Sequence, residues 1–382
     1  MNARTDRASS IDPRDGRPLT VTARAAKMAA EAWVADVRPD DHLNNLFANY
    51  GNSGAGWTGG DGGASAQLPD GRIFWAFSDT WLGAIYLQGL RSPHSQFVSN
   101  AAVIQKGDQL STLYAGTPDA PQPFINSGIL PGAYYWNNGA IVSNNTLYVS
   151  YSAYYVRRSV AFAFNQLDTV FAAFSLPDLS LKSVTPVELG PNVKWGVCML
   201  NDGGYTYIYG VGLTNTKYVV TYMYVARAPE NDVLGPWQYF NGTTWSSNPD
   251  DVAPLTDVVH DPYSVAKIGD AYVLFTMEAG PFSTNMQAYF GPTPVGPFSS
   301  GQNIYSTSVP QGAYGLDTSD LYEYGAYVHP AFTKGGTLVI SYQVNAKNPP
   351  SWIYARIIRP VYLDVTISFD RTRNQRTSGR PS

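Results

Sequence analysis

The sequence contains few of the residues that build covalent crosslinks or metal clusters. Its 382 residues include one cysteine, Cys198, and four histidines. A single cysteine excludes an intrachain disulfide and any cluster that needs several thiolates. No H-E-x-x-H run or other paired-histidine spacing occurs, so zinc chemistry is not expected. We expect no cofactor and no catalytic metal, while a lone structural calcium stays open.

Charged residues and long apolar runs are also scarce. Asp, Glu, Lys and Arg make up 14% of the chain, the formal net charge is −4, and its body has no Lys/Arg-rich patch. A groove that follows a nucleic-acid backbone is therefore not expected. No run approaches the ~20 apolar residues that span a bilayer, so no membrane association is predicted. The polar residues 1–18 do not resemble a secretory signal, and no G-x-S-x-G motif indicates a serine nucleophile.

Aromatic residues, glycine and proline are abundant instead. Aromatic residues make up 14% of the chain, with 27 Tyr and 9 Trp, beside 35 Gly and 27 Pro. This composition suits short strands joined by tight turns. Exposed aromatic rings also suit stacking on sugars. The low charge fits a neutral, polyhydroxylated ligand.

Short strand-like segments recur from residue 49 onward, without helical periodicity. They lie between Gly/Pro/Asn/Asp turns and group into units of roughly sixty residues. The first strands of five such units are predicted near Asp61, Asn137, Trp195, Asp261 and His329. We therefore predict an all-β fold, a five-bladed β-propeller over residues 49–368. The first strand of each blade lines the channel of a propeller, so polar residues there are candidates for function.

The two ends of the chain differ from its repeating part. The Ala-rich stretch 22–37 predicts one helix within an N-terminal arm, residues 1–48. Residues 369–382 form a basic C-terminal tail. The arm either packs on the propeller or a neighbouring copy, or serves in attachment to a larger assembly.

One hairpin, residues 57–83, combines several glycines with two aspartates and two tryptophans. Pro69-Asp70-Gly71 predicts a three-residue loop. Asp61 and Asp79 each lie nine residues from Asp70, and this register places their Cβ atoms opposite each other, ~5 Å apart. Two such carboxyls push their pKa values apart, which suits the acid and base of glycoside hydrolysis. The structural alternative is that Asp61 caps the glycine-rich turn and Asp79 bonds Thr80 or a backbone amide.

The other candidate residues lie in this hairpin or near the predicted inner strands. Glycines around Asp61 allow a ligand to approach the backbone. The two tryptophans of the hairpin either stack on sugars or pack in the core. The later candidates either bind ligand hydroxyls around the channel or are satisfied structural polar groups. The candidate substrate-binding residues are Trp57, Trp81, Asn137, Trp195, His260, Asp261, Glu278 and His329.

The run GGDGG…LPDGR, followed by W-x-F-S-DTWLG within residues 57–83, resembles the signature of the endo-D-arabinanase family, glycoside hydrolase family 183. The resemblance implies a five-bladed propeller that cleaves the α-linked D-arabinofuranose backbone of mycobacterial arabinogalactan and lipoarabinomannan. It also implies that Asp61 and Asp79 are catalytic, because they match the two first-blade aspartates of that family. We expect Asp79, which lies among aromatic strand residues, to be the acid and Asp61 its partner. Over the other blades the resemblance is only architectural.

A second phrase, VVHDPYSVAKIGDAYVLFT at residues 258–276, resembles one in the arabinanase and xylosidase propellers of glycoside hydrolase family 43. There its aspartate is the general base of the first blade, whereas here Asp261 falls in the predicted fourth blade. The alternatives are therefore an enzyme resembling family 43 and a non-catalytic glycan-binding protein of a phage tail. A protein that acts on cell-wall polysaccharide works outside the cell. We accordingly expect a secreted enzyme or a virion component, with the arm available for homo-oligomer or tail assembly.

Overall fold

The computed structural model describes residues 21–84, 91–92, 94–128, 131–156, 164–187, 193–213, 221–278, 283–307, 321–346 and 359–369. The predicted basic tail, apart from its first residue, and the first twenty residues of the predicted arm lie outside these ranges. The described chain starts with helix α1 (Ala23–Glu31), strand β1 (Trp33–Pro39) and helix α2 (Asp41–Asn52). Neither of these two helices is long and apolar enough to cross a bilayer, and the described residues contain no other candidate.

Five antiparallel sheets follow, and each is one blade of a β-propeller, as predicted. Blade 1 contains β2 (Trp57–Gln67), β3 (Ile73–Leu82), β4 (Gln96–Val98), β5 (Ala101–Lys106) and β6 (Gln109–Leu113), and a small hairpin of β7 (Ala115–Thr117) and β8 (Ala120–Gln122) comes next. Blade 2 contains β9 (Tyr134–Ser143), β10 (Thr146–Val156), β11 (Phe164–Ser175) and β12 (Leu181–Val187).

The remaining blades follow the same order from the channel outward. Blade 3 contains β13 (Val193–Asp202), β14 (Tyr205–Leu213), β15 (Thr221–Pro229), β16 (Gln238–Phe240) and β17 (Trp245–Ser246). Blade 4 contains β18 (Ser264–Ile268), β19 (Ala271–Met277), β20 (Asn285–Gly291) and β21 (Gln302–Ser306). Blade 5 contains β22 (Leu321–Lys334), β23 (Thr337–Ala346) and β24 (Val361–Ser368), with β1 as its outer strand.

The first strands of the five blades form a closed ring around the channel. Strand β2 contacts β9, β9 contacts β13, β13 contacts β18, β18 contacts β22, and β22 contacts β2 again. The inner strands run in the same direction, so their first residues meet at one end of the channel. The second strand of each blade is antiparallel to the first and ends there too. We call this end the channel mouth.

Hydrophobic side chains fill the interfaces between consecutive blades. Separate clusters join blade 1 to 2, blade 2 to 3, blade 3 to 4 and blade 4 to 5. Helix α2 covers the interface between blades 5 and 1. There Phe47 packs edge-on against Trp57 and Trp75 and stacks with Tyr362 at 5.1 Å between ring centroids. The closing interface therefore joins residues from both ends of the described chain.

The N-terminal segment is more closely part of the propeller than predicted. The predicted helix over residues 22–37 is present only as far as Glu31. The prediction is wrong beyond that residue, because residues 33–39 form β1 and pair with β24. Val34 is buried between blades 4 and 5. Its N–H donates to Gln302 Oε1, and its carbonyl accepts from Gln302 Nε2, both at 3.0 Å. The propeller thus begins at β1 and not at residue 49.

Candidate active site

The hairpin of β2 and β3 carries the two aspartates that were predicted to be catalytic. The Leu68 N–H donates to the Arg72 carbonyl, so the loop has three residues, Pro69 to Gly71, and the φ of Gly71 is +86°, which suits glycine. The strands pair from Gln67 with Ile73 onward in the expected register. The loop type and the register near it are therefore confirmed.

The two aspartates lie in an irregular part of this hairpin. One residue of β2, Asp61, stands against two residues of β3, Ser78 and Asp79. Gly62 and Gly63 follow with φ values of +87° and +88°, a conformation that other residues adopt rarely. The expected direct pairing of Asp61 with Asp79 is therefore wrong, because a bulge intervenes. Both aspartates nevertheless lie between the same two backbone pairs of the hairpin, Gly60 with Thr80 and Gly62 with Phe77.

Asp61 is enclosed near the channel mouth. Its Oδ2 accepts a hydrogen bond from the Tyr324 hydroxyl of blade 5 at 2.5 Å. Its Oδ1 is buried and makes no hydrogen bond within the described part of the chain. Burial raises the pKa of Asp61 to about 6, although Tyr324 and nearby backbone amides favour the ionised form.

Asp79 is perturbed more strongly than Asp61. Its Oδ1 accepts a hydrogen bond from Trp136 Nε1 of blade 2 at 2.7 Å. Burial, and after it the neighbouring Asp61 carboxylate, raises the pKa of Asp79 well above its ordinary value. Trp136 opposes only part of this shift. Of the two carboxyls, Asp79 therefore has the more strongly raised pKa.

Aromatic side chains stand on both sides of the carboxyl pair. On the blade 2 side, the ring centroids of Tyr134, Trp136 and Tyr154 lie 4.7–6.2 Å apart. On the blade 5 side, Tyr322 and Tyr324 stack at 5.4 Å. All of these rings except Tyr154 remain partly exposed. They can therefore contact the apolar faces of sugar rings.

Asn137 lies beside the bulge. Its Oδ1 accepts from Ser78 Oγ at 2.8 Å, and its Nδ2 is buried without a hydrogen bond inside the described ranges. A Cβ atom on Gly62 would lie 2.7 Å from Asn137 Oδ1 and 3.0 Å from the Ser78 nitrogen. The bulge therefore requires glycine at this position. A role for Asn137 in binding substrate stays a prediction.

A second charged pair lies across the ring, between blades 3 and 4. Lys194 Nζ is 2.6 Å from both carboxylate oxygens of Asp261, and the two side chains are 12% and 26% exposed. Burial lowers the pKa of Lys194, but Asp261 and Tyr154 raise it by more, so the ammonium stays charged. Burial, and after it the charges of Asp61 and Asp261, raises the pKa of Tyr327. A role for Asp261 in binding substrate stays a prediction.

His260 and Glu278 also lie at the blade 4 side of the mouth. Burial lowers the pKa of His260, and its Nδ1 is buried with no hydrogen bond to any described residue. Glu278 Oε2 accepts from Ser283 Oγ at 3.0 Å and from Asn285 Nδ2 at 2.8 Å. Binding roles for both residues stay predictions. Across the described ranges, no group of three or more His, Cys, Asp or Glu side chains could hold a metal ion.

Trp81 lies two residues beyond Asp79 and on the same face of β3. Its ring packs edge-on against Phe97 at 5.1 Å, and the Arg91 guanidinium lies 5.4 Å from the ring centroid. The side chain remains partly exposed. Stacking of Trp81 on a sugar stays a prediction.

Two tryptophans predicted to bind substrate are instead core residues. Trp57 and Trp195 are both 0% exposed. Trp57 packs on Phe47 at the interface between blades 5 and 1, and Trp195 packs on Trp237 between blades 2 and 3. Side chains alternate along a strand, and the neighbour of Trp195, Lys194, faces the channel mouth instead. The predicted sugar contacts of both tryptophans are therefore wrong.

His329 is also a core residue and not a ligand of the channel. It is 0% exposed, and its two ring nitrogens bond Ser65 Oγ and Ser341 Oγ at 2.9 Å each. Its ring packs on Trp75 at 4.8 Å. Burial lowers the pKa of His329 to about 3, so the imidazole is neutral at physiological pH. The predicted binding role is wrong, because the serines satisfy both nitrogens.

Tyr324, the hydrogen-bond partner of Asp61, was not predicted, and Trp136 was expected to bond sugar hydroxyls at the start of an inner strand and not to bond Asp79. Strand β22 begins at Leu321, before the position near His329 where the fifth inner strand was predicted. The signal that could have found these partners is alternation of aromatic residues at the start of an inner strand. It occurs in YYWNN at 134–138 and LYEYG at 321–325.

The fold is similar to that of several solved structures. A candidate hydrolase from Bacteroides ovatus ATCC 8483 has a TM-score of 0.70 and 22% identity, and the match covers 91% of this chain and 93% of that chain. An α-L-arabinofuranosidase from Podospora anserina has a TM-score of 0.47 and 8% identity, with 82% and 93% covered. A GH43_1 enzyme from Xanthomonas citri has a TM-score of 0.46 and 13% identity, with 90% and 92% covered. These likenesses concern the fold.

Comparison with curated protein sequences finds no match. The resemblance of residues 57–83 to glycoside hydrolase family 183 stays a prediction. A family match nevertheless spans residues 44–367, which includes all five blades except the outer strand β1 and the last residue of β24. The chain therefore belongs to the family described as Domain of unknown function (DUF5005).

Proposed function

We propose that this chain is an endo-acting glycoside hydrolase that cleaves α-D-arabinofuranosyl linkages in the arabinan of actinobacterial cell walls. The observation that carries the proposal is the enclosed carboxyl pair of Asp61 and Asp79. Both pKa values are raised, and Asp79 is raised further. Two carboxyls whose environments separate their pKa values are suited to act as acid and base at neutral pH.

In the proposed reaction Asp79 is the general acid. Its proton passes to the glycosidic oxygen while the bond from that oxygen to the anomeric carbon breaks, and the bonding electrons stay on the leaving oxygen. Ionised Asp61 either takes a proton from the water that attacks the anomeric carbon or attacks that carbon itself. In the second route water then hydrolyses the glycosyl ester. Both routes consume one water molecule for each linkage.

The aromatic side chains support an endo mode of action. Tyr134 and Trp136 lie on one side of the carboxyl pair, and Tyr322 and Tyr324 lie on the other. Rings on both sides can hold sugar units before and after the linkage that is cleaved. The polymer would therefore be cut at internal positions.

The choice of D-arabinan rests on the resemblance of residues 57–83 to the endo-D-arabinanase signature. This substrate lies outside the cytoplasm, so the proposal includes action as a secreted enzyme or as part of a phage tail. The Lys194–Asp261 pair offers a charged donor and an acceptor for sugar hydroxyls on the far side of the mouth.

The proposal is tested by incubating the full chain with mycobacterial arabinogalactan and, separately, with linear L-arabinan. We expect a mixed series of D-arabino-oligosaccharides at early times from the first substrate and none from the second. Products from L-arabinan alone would move the assignment to the alternative that resembles family 43. Retention of the protein on arabinogalactan without any product would indicate a glycan-binding protein and contradict the enzymatic proposal.

A further inference from the structure

We propose that Tyr324 and Trp136 are positioning residues that divide the acid and base roles between the two aspartates. Tyr324 holds Asp61 as a carboxylate, and Trp136 fixes which oxygen of Asp79 carries the proton. This inference rests on the proposed function and adds to it. It assigns roles to two side chains that reach the hairpin from the neighbouring blades on either side.

The indole of Trp136 determines the arrangement of Asp79. An indole N–H can donate a hydrogen bond but cannot accept one. It lies 2.7 Å from Asp79 Oδ1, so Oδ1 must act as an acceptor in this contact. In a protonated carboxyl the carbonyl oxygen is the stronger acceptor, so this contact favours the proton on Oδ2. Trp136 thus leaves Oδ2 as the atom from which the proton passes to the glycosidic oxygen.

The hydroxyl of Tyr324 determines the arrangement of Asp61. Burial and the charge of Asp61 raise the pKa of Tyr324 well above its ordinary value, so the hydroxyl keeps its proton. Asn345 Nδ2 donates to the oxygen of this hydroxyl at 3.5 Å, which directs the hydroxyl proton towards Asp61 Oδ2. A donated hydrogen bond favours the carboxylate over the neutral acid.

The two contacts together leave one oxygen of each aspartate for the reaction. Asp61 Oδ2 is occupied by Tyr324, and Oδ1 is buried without a hydrogen bond to any described residue. Asp79 Oδ1 is occupied by Trp136. Asp61 Oδ1 is therefore the oxygen without a donor among the described residues, and Asp79 Oδ2 is the oxygen left to carry the proton. Neither positioning residue exchanges a proton with the substrate.

The test compares Tyr324→Phe and Trp136→Phe with the wild type by pH profiles of kcat/KM on arabinogalactan. Tyr324→Phe removes a donor to ionised Asp61, so we expect the acidic limb to move up by about one pH unit and the alkaline limb to stay. Trp136→Phe removes a donor to Asp79, so we expect the alkaline limb to move up and kcat to fall by about tenfold or more. Tyr209→Phe is the control, because it removes a buried hydroxyl that donates to the Pro294 carbonyl at 2.9 Å in the core.

Carboxyl pKa values measured by NMR on ¹³C-labelled aspartate provide a readout that does not depend on activity. We expect a higher pKa for Asp61 in Tyr324→Phe and for Asp79 in Trp136→Phe, with neither changed in Tyr209→Phe. These shifts in a protein that releases no sugar would support the positioning roles and contradict the proposed function. Unchanged carboxyl pKa values and unchanged pH limbs in both variants would overturn the positioning roles, even if the wild type cleaves arabinan.

Discussion

Asp61 and Asp79 are enclosed carboxyls whose hydrogen-bond donors are a tyrosine hydroxyl and an indole, both neutral. Burial raises both pKa values, so ionisation of either group is opposed by the fold. Groups of this kind reduce stability at neutral pH, and proteins retain them where chemistry needs them. The loss of folding stability that this pair causes therefore supports a functional role for it.

The first prediction concerns the pH dependence of stability. We expect Asp79→Asn to raise the melting temperature at pH 7.5 by about 2–4 °C and to change it little at pH 3.5. The folded pKa lies above the ordinary value of 3.8, so the folded state binds the proton more tightly. The stability of the wild type therefore falls as the pH rises from 3.8 to the folded pKa of Asp79. Thermal unfolding followed by circular dichroism measures the difference.

Asp70→Asn is the matched control for this prediction. Asp70 is an exposed loop carboxyl, and its hydrogen bonds with Arg72 lower its pKa. Its ionised form is therefore favoured by folding, and its replacement should give no rise in melting temperature at pH 7.5. A lower melting temperature for Asp79→Asn than for the wild type at pH 7.5 would contradict the raised pKa of Asp79.

Sequence reasoning selected both aspartates, whose catalytic role stays a prediction, but placed three other side chains wrongly. Trp57, Trp195 and His329 lie on predicted inner strands, yet all three are 0% exposed. Alternation along a strand defines two faces but does not say which face lines the channel. In blade 3 the neighbouring blades determine which face of the inner strand is buried, because they enclose Trp195 and leave Lys194 at the mouth. A single sequence does not contain that information.

At the scale of elements, the bulge in the first hairpin positions the aspartates. Asp61 opposes two residues of β3, and Gly62 and Gly63 follow in the left-handed region. The carbonyl of Gly62 accepts a hydrogen bond from Gln343 Nε2 of blade 5 at 2.7 Å. The irregular backbone is therefore held from blade 5 as well as by its own hairpin.

The second prediction compares two glycines of this hairpin with nearly equal φ. Gly62 has φ +87° and Gly71 has φ +86°, so an alanine meets similar backbone strain at both, roughly 1–2 kcal/mol. Only Gly62→Ala places a Cβ atom 2.7 Å from Asn137 Oδ1, whereas Gly71 has open space. We expect Gly62→Ala to reduce kcat by about 10²-fold through displacement of Asp61, and Gly71→Ala to keep wild-type turnover. Equal turnover in the two variants would show that the bulge does not position the site.

The elements differ in how far the sequence could predict them. The hairpin turn was predicted because Pro69-Asp70-Gly71 specifies its geometry locally. Strand β1 was missed because its partner, β24, lies more than 300 residues away along the chain. An Ala-rich segment before β1 favours a helix, and only the edge of blade 5 makes residues 33–39 a strand. The bulge at Asp61 also escaped prediction, because it depends on packing against blades 2 and 5.

At the scale of the whole molecule, the candidate site contains side chains from every blade. Blades 1, 2 and 5 provide the carboxyl pair and its donors, while blades 3 and 4 provide Lys194 and Asp261. The number of blades was predictable from the repeat of strand-rich units of roughly sixty residues. The contacts between blades were not, because each one joins segments that are distant in sequence.

The third prediction concerns the ion pair between blades 3 and 4. Lys194→Met leaves the Asp261 carboxylate enclosed without its cation, so we expect a loss of about 2–3 kcal/mol in the free energy of unfolding. The double variant Lys194→Met/Asp261→Leu should recover most of this loss, because an apolar pair carries no desolvation cost. Urea unfolding measures both changes.

Arg24→Met is the control for the ion pair. Arg24 Nε lies 2.6 Å from Asp270 Oδ2, but the two side chains are 79% and 44% exposed. Exposed pairs contribute about 0–1 kcal/mol, so this substitution should change stability little. An equal loss in Arg24→Met and Lys194→Met would contradict the special role of the enclosed pair in joining blades 3 and 4.

The most direct test of the central claim is the initial rate at which Asp61→Asn and Asp79→Asn release oligosaccharides from mycobacterial arabinogalactan. Asp70→Asn in the same hairpin is measured beside them, with circular dichroism to establish that each variant is folded. We predict that both site variants lose about 10³-fold or more of the wild-type rate, while Asp70→Asn keeps it within about twofold. Wild-type rates in either folded site variant would contradict the claim that Asp61 and Asp79 are the catalytic pair.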